Sequence, residues 1–191
     1  MPVTLEVREQ FDAKVWQTAE PRGVGWAGLL TWEVTQAPAD GGIPDEVARV
    51  FAAALCETGR VVYAGDGDAQ ARRTWQRNTE TMFIADSVEE VLPAFNSGMH
   101  DWSMNAQWLV IMDAAADPGA VLDAGKKLYE DWTLPSGWPS GVKMIVQAAV
   151  DGDGAACYCA DQSIKRSFLV SLGRHAERAG MDLRVFREGA R

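Results

Sequence analysis

Two stretches of this chain match at a fixed spacing. Ala85-Asp86, eleven residues and Gly98-Met99-His100 recur as Ala160-Asp161, eleven residues and Gly173-Arg174-His175. Position 160 lies 75 residues after 85, and 175 lies 75 after 100, with no gap between the matches. The register continues to Asn105 and Gly180, two residue types that commonly end helices in the left-handed conformation. Self-similarity of this kind predicts two copies of one supersecondary unit.

Hydrophobic periodicity and turn residues give both halves the order β-α-β-β-α-β. Strands are predicted at 3–11, 28–35, 60–64, 79–85, 108–113, 142–150, 155–160 and 183–186, and helices from about 44, 87, 117 and 163. This order is typical of the split βαβ, or ferredoxin-like, unit. Each such unit leaves one sheet face uncovered, which favours packing of the two sheets on each other.

The predicted fold is therefore α+β, with tandem ferredoxin-like units packed sheet-to-sheet as an internal pseudo-dimer, similar to a dimeric α/β-barrel. The first unit covers 1–106 with its N-terminal strand, and the second covers 107–191. Strand 108–113 suits either the last strand of the first unit or the first strand of the second. Either both units share it, or the N-terminal stretch supplies a replacement.

Composition narrows the functional classes. The 191 residues carry a net charge of −9, which argues against nucleic-acid and anionic membrane partners. No apolar run reaches the roughly 18 residues of a transmembrane helix, and the first residues lack the apolar core of a signal peptide. Three cysteines do not form a disulfide framework. We expect a soluble, cytoplasmic protein, either a monomeric pseudo-dimer or a homodimer.

The segment 154–188 resembles a family of small bacterial ferredoxin-like proteins, most of them without an assigned function. The motifs are Cys157-Tyr158-Cys159, matching a "YC" strand, and the run from His175 to Gly180, matching a helix that ends in "HAxRAG". The family usually has Glu-Ala-Pro after that strand, where this chain has Ala160-Asp161-Gln162. The resemblance implies a ferredoxin-like fold and, because one branch binds nickel and is dimeric, a metal site that would include His175.

His100 and His175, the chain's two histidines, are the candidate metal ligands, for a divalent transition metal such as nickel or zinc. A carboxylate follows each: Asp101 after His100, and Glu177 one residue beyond Ala176. An imidazole at the end of a helix also suits proton transfer. The alternative interpretation is a structural histidine that the helix dipole stabilises in its charged form.

Aromatic residues supply a second candidate site, a pocket for a flat, apolar small molecule. Its proposed lining is Trp102, Trp108, Trp132, Trp138 and Tyr158. These residues could equally be core and rim residues. Cys157 and Cys159 flank Tyr158 on one strand, so both sulfurs face the same side. They could form a thiolate pair that binds a soft metal, or they could be small core residues.

Three functional hypotheses follow. The first is a small-ligand-binding protein, with or without a metal, that uses His100 and His175. The second is a cofactor-poor α/β-barrel enzyme of the monooxygenase or cyclase type in secondary metabolism, with a histidine that transfers a proton. The third is an acidic immunity or inhibitor protein whose negative charge suits a basic partner.

Overall fold

The computed structural model describes residues 3–9, 11, 23–33, 43–66, 74–77, 80–96, 108–117, 138, 140–148 and 154–187. Within these ranges there are nine strands and three helices. The strands are β1 (Thr4–Arg8), β2 (Trp26–Glu33), β3 (Arg60–Asp66), β4 (Thr74–Arg77), β5 (Glu80–Ala85), β6 (Trp108–Met112), β7 (Val142–Ala148), β8 (Gly154–Cys159) and β9 (Asp182–Phe186). The helices are α1 (Asp45–Thr58), α2 (Val88–Asn96) and α3 (Gln162–Arg178). The helix predicted from 117 lies outside the described residues, apart from Asp117 itself.

All nine strands join in one sheet, in the order β4-β5-β3-β6-β7-β8-β2-β1-β9. Neighbouring strands are antiparallel except β1 and β9, which are parallel. Strands from the two halves of the chain are interleaved in this sheet, since β8 pairs with β2 and β9 pairs with β1. The terminal strand β9 therefore lies beside the first strand of the chain, at one edge.

This sheet confirms the α+β class but does not confirm two tandem ferredoxin-like units. The predicted face-to-face packing of two sheets is not observed among the described strands, because β6 joins β3 to β7 in one continuous sheet. The repeat does hold locally, since Asp86 and Asp161 each follow the second strand of an antiparallel pair and precede a helix. The strands that close the two segments differ, because β6 pairs with β3 whereas β9 pairs with β1.

The three helices pack on one face of the sheet. Their apolar residues meet alternate strand residues, such as Leu109 and Ile111 of β6, in the larger core. Phe51 of α1 lies at its centre, with its ring centroid 5.6 Å from that of Phe95 and 6.1 Å from that of Phe168. None of the described helices is long and apolar enough to cross a membrane.

The opposite face of the sheet is also buried. The intervening residues of the same strands form a second core that includes Val62, Val110, Ile145 and Tyr158. Because side chains alternate across a strand, burial of both faces gives the central strands nearly continuous apolar sequences. Trp108–Met112, with the sequence WLVIM, is an example.

Local interactions define the ends of α3. The carboxylate of Asp161 accepts hydrogen bonds from the backbone amides of Ser163 at 2.7 Å and Ile164 at 3.0 Å, which satisfies amides that the helix leaves free. Gly180, with φ of 70°, follows the helix as predicted from its sequence match to Asn105. The chain then reverses into β9, which runs back beneath α3.

Candidate functional site

A cavity of about 400 Å³ lies where the N-terminal half of α3 passes over the ends of β1 and β9. We call it the α3 pocket. Its lining residues are Glu9, Gln162, Lys165, Arg166, Leu169, Val170 and Arg187. Five of the seven belong to α3, and the other two directly follow β1 and β9.

Secondary structure places each group. The parallel pairing of β1 and β9 ends with the amide of Glu9 donating to the carbonyl of Phe186 at 3.1 Å, which sets Glu9 beside Arg187. Residues three and four apart share a helix face, so Lys165 and Leu169 point to the same side. Gln162 is held at the pocket by its side-chain amide, which donates to the carbonyl of Gly25 at 3.0 Å.

The pocket is cationic. Lys165 Nζ lies 2.6 Å from Glu9 Oε1, and both side chains are 16% exposed, so these two charges largely compensate each other. Arg187 Nε lies 3.9 Å from the same oxygen, with its side chain 75% exposed. Arg166 is exposed to solvent. Among the described residues, the lining therefore holds three cations and one carboxylate, and this excess of positive charge contrasts with the net −9 of the whole chain.

Two buried polar atoms flank Lys165. Its ammonium group stacks over the Trp26 ring at 5.5 Å from the centroid, a cation–π contact. Glu9 Oε1 is buried against that ammonium group, 2.6 Å away, and Trp26 Nε1 is buried without a hydrogen-bond partner among the described residues. Lys165 is therefore fixed between a buried carboxylate and an aromatic ring.

His175 belongs to a different group, on the seam between α1 and α3, which we call the Glu57 cluster. Its members are Glu57, Ser171, Arg174 and His175. Glu57 Oε1 lies 3.0 Å from His175 Nε2, and Oε2 accepts hydrogen bonds from Ser171 Oγ and Arg174 Nη2. The hydrogen bond from Ser171 is the main cause that lowers the pKa of Glu57 below its usual 4.5. One carboxylate thus connects two helices through three side chains of α3.

The predicted metal site is only partly covered by the structure, since His100 lies outside the described residues. Among those described, no three His, Cys, Asp or Glu side chains converge as metal ligands. His175 faces Glu57 and not the predicted neighbour Glu177, because Glu177 is exposed on the outer side of α3. A nickel or zinc site at His100 and His175 remains a prediction.

The predicted aromatic pocket is also only partly described. Trp102 and Trp132 lie outside the described residues, and for Trp108 the structure describes the backbone, in β6. Tyr158 and Trp138 share the second core, where Tyr158 is fully buried and Trp138 Nε1 donates to the carbonyl of Val142 at 2.5 Å. The structure therefore brings two of the five residues together, and there they act as packing groups.

The cysteines are core residues. Cys157 and Cys159 face the helices on the same side of β8, as the strand period predicts, with 1% and 0% exposure. Burial raises the pKa of the Cys159 thiol to about 12 and that of Cys157 well above its usual value. In this structure both thiols are therefore neutral and packed in the core, as small apolar residues would be.

Sequence reasoning missed the α3 pocket. The spacing of Lys165, Arg166 and Leu169 was visible on a predicted helix. Glu9 and Arg187 come from opposite ends of the chain, and only the pairing of β1 with β9 brings them to α3. No pattern within the sequence links these residues.

Comparisons with protein families, with curated proteins and with solved structures find no match. The resemblance to small ferredoxin-like proteins therefore depends on the motifs at 157–159 and 175–180 alone.

Proposed function

We propose that this protein binds a small organic anion, a carboxylate with a short apolar portion, in the α3 pocket. The observation that carries the proposal is the excess of cations over carboxylates in a defined cavity on an otherwise acidic protein. Lys165 is paired with Glu9, so Arg166 and Arg187 are the groups that would bind the anion. Guanidinium groups suit this role because they donate two parallel hydrogen bonds to a carboxylate.

The walls and the volume of the pocket support an amphipathic ligand. Leu169 and Val170 give it an apolar side. A cavity of about 400 Å³ lies within the range of ordinary small-molecule sites. The Asp161 cap already satisfies amides at the start of α3, so an anion would be held by side chains.

The same lining favours binding over catalysis. The seven lining residues that the structure describes include no histidine, cysteine, serine or threonine, the residue types that most often act as nucleophiles. Glu9, the carboxylate among these described residues, is paired with Lys165. The proposal therefore continues the small-ligand hypothesis, with a different set of residues.

The test is a fluorescence titration with 8-anilinonaphthalene-1-sulfonate, an anion with an apolar ring system. We expect saturable binding at one site, displacement by octanoate, and no displacement by octylammonium. Reversing one charge, in Arg166→Glu or Arg187→Glu, is expected to weaken binding about tenfold, because it replaces an attraction of up to about 1 kcal/mol between exposed charges by a repulsion of similar size. High salt should weaken binding as well.

Arg178→Glu is the matched control, because it makes the same charge change on α3 outside the pocket lining. Near-ultraviolet circular dichroism of each variant excludes dye binding to a loosened fold. Equal dye affinity in the Arg187→Glu and Arg178→Glu proteins, or equal displacement by octylammonium, would refute the proposal.

A further inference from the structure

Strand β9 presents unpaired backbone groups at the edge of the sheet. Within the described structure it pairs with β1 alone. The amide of Asp182 donates to Val3 at 3.0 Å, and the carbonyl of Phe186 accepts from Glu9 at 3.1 Å, so these residues face β1. Backbone groups alternate between the two sides of a strand. Those of Leu183, Val185 and Arg187 therefore point to the open edge.

Apolar side chains are exposed along the same edge. Val170 is 65% exposed, Val185 38% and Phe186 47%, and these are the large apolar side chains that the described residues expose most. Val185 pairs with the buried Val7 on the helix face, whereas Phe186 pairs with Arg8 on the opposite face. Both faces of the edge thus offer apolar surface to an added strand. An exposed edge of this kind is a template for strand pairing.

The charges at the edge indicate the partner. Arg184 is 53% exposed, with its Nε 3.1 Å from Asp182 Oδ2. Arg187 is 75% exposed, and its nearest carboxylate, Glu9 at 3.9 Å, is already paired with Lys165. A second copy of this chain would bring the same excess of positive charge to the interface, since Arg184 and Arg187 outnumber Asp182. An extended segment with carboxylates would compensate them. Charge complementarity therefore favours an acidic segment of another protein.

We infer that β9 is a docking edge, to which an extended acidic segment of a partner protein adds as a further strand. Its backbone pairs with Leu183, Val185 and Arg187, its carboxylates lie beside Arg184 and Arg187, and its apolar side chains contact Val185 or Phe186. This is strand addition, in which main-chain hydrogen bonds give affinity and side chains give specificity. The inference shares Arg187 with the α3 pocket but does not depend on the ligand proposed there.

The probe is a fluorescein-labelled peptide, acetyl-Val-Glu-Val-Glu-Val-Glu-Val-amide, titrated by fluorescence anisotropy. We expect saturable binding that weakens with salt. A peptide with lysine in place of glutamate should bind at least about tenfold more weakly. A peptide of the original sequence that is N-methylated at every residue should not bind, since it keeps the side chains but cannot donate backbone hydrogen bonds.

Val185→Pro tests the edge directly, because its lost amide points away from β1 and proline is tolerated on edge strands in that orientation. We expect this variant to keep binding the sulfonate dye and to lose the peptide, and Val185→Thr, which keeps the amide, to bind the peptide. If Val185→Pro fails to fold, the comparison of the original and the N-methylated peptide on the wild-type protein tests the inference. Absence of wild-type binding at millimolar peptide, or equal binding of the lysine or N-methylated peptide, overturns the inference. The inference is also overturned if sedimentation analysis shows a wild-type dimer that the Val185→Pro substitution dissociates, because β9 would then pair with a second copy of this chain.

Discussion

The Glu57 cluster gives a quantitative test of how α1 and α3 are held together. Ser171 is 4% exposed, and its hydroxyl donates to Glu57. Glu57→Ala would leave this buried donor without its acceptor, at a cost of about 1–3 kcal/mol. The pairs with Arg174 and His175 add little, because the side chain of Glu57 is 40% exposed and that of Arg174 47%.

We therefore expect Glu57→Ala to lower the free energy of unfolding by about 2 kcal/mol. For a chain of this length, that corresponds to a fall in Tm of about 4–8 °C. The assay is thermal unfolding at pH 7, followed by far-ultraviolet circular dichroism. The matched control is Glu89→Ala. Glu89 pairs with Arg49 at 3.8 Å, but the side chains are 77% and 62% exposed, so a change within about 0.5 kcal/mol is expected.

Two further measurements separate the causes. In Glu57→Ala/Ser171→Ala, the donor and the acceptor are removed together, so the double variant should be less destabilised than the sum of the single variants. The pKa of Glu57 is lowered in the folded state, so its stabilisation is present above the ordinary pKa of 4.5 and is lost as the pH falls through the folded pKa. The penalty of Glu57→Gln should shrink accordingly in acid. Equal Tm values for Glu57→Ala and Glu89→Ala would refute the role of the cluster.

Two other predictions concern the core and its close contacts. A Cβ atom at Gly25 would lie 2.4 Å from the carbonyl oxygen of Ala160, whereas one at Gly180 would meet nothing within 4 Å. Gly25→Ala should therefore lower Tm far more than Gly180→Ala. The cost of Gly180→Ala is the strain of a left-handed backbone, about 1 kcal/mol. Equal losses in the two variants would contradict this. Cys157 and Cys159 should resist 5,5′-dithiobis(2-nitrobenzoate) at pH 8 in the native protein and react in guanidinium chloride, because burial keeps both thiols neutral. Rapid native labelling of either residue, identified by peptide mass spectrometry, would show that β8 is accessible.

The sequence by itself determined most of the local structure. Apolar residues at helical spacing and the glycine that follows predicted α1, and alternation with turn residues predicted β1, β2, β3 and β5 to β9 within a few residues. These signals are local, since they depend on the chain's own hydrogen bonds and on the periodic placement of apolar side chains. The 75-residue repeat belongs to this level, because it reproduces an antiparallel strand pair, an Ala-Asp turn and a helix start.

Only the tertiary structure decided how these pieces combine. Strands buried on both faces, such as Trp108–Met112, have apolar residues throughout, so their sequence does not specify which neighbour they pair with. Equivalent local segments could therefore join different strands: β6 lies between β3 and β7, and β9 lies beside β1. The α3 pocket and the β9 edge follow from that second pairing, which brings Glu9 and Arg187 together from opposite ends of the chain. Contacts between residues so far apart arise from burial in the whole fold, and no local pattern encodes them.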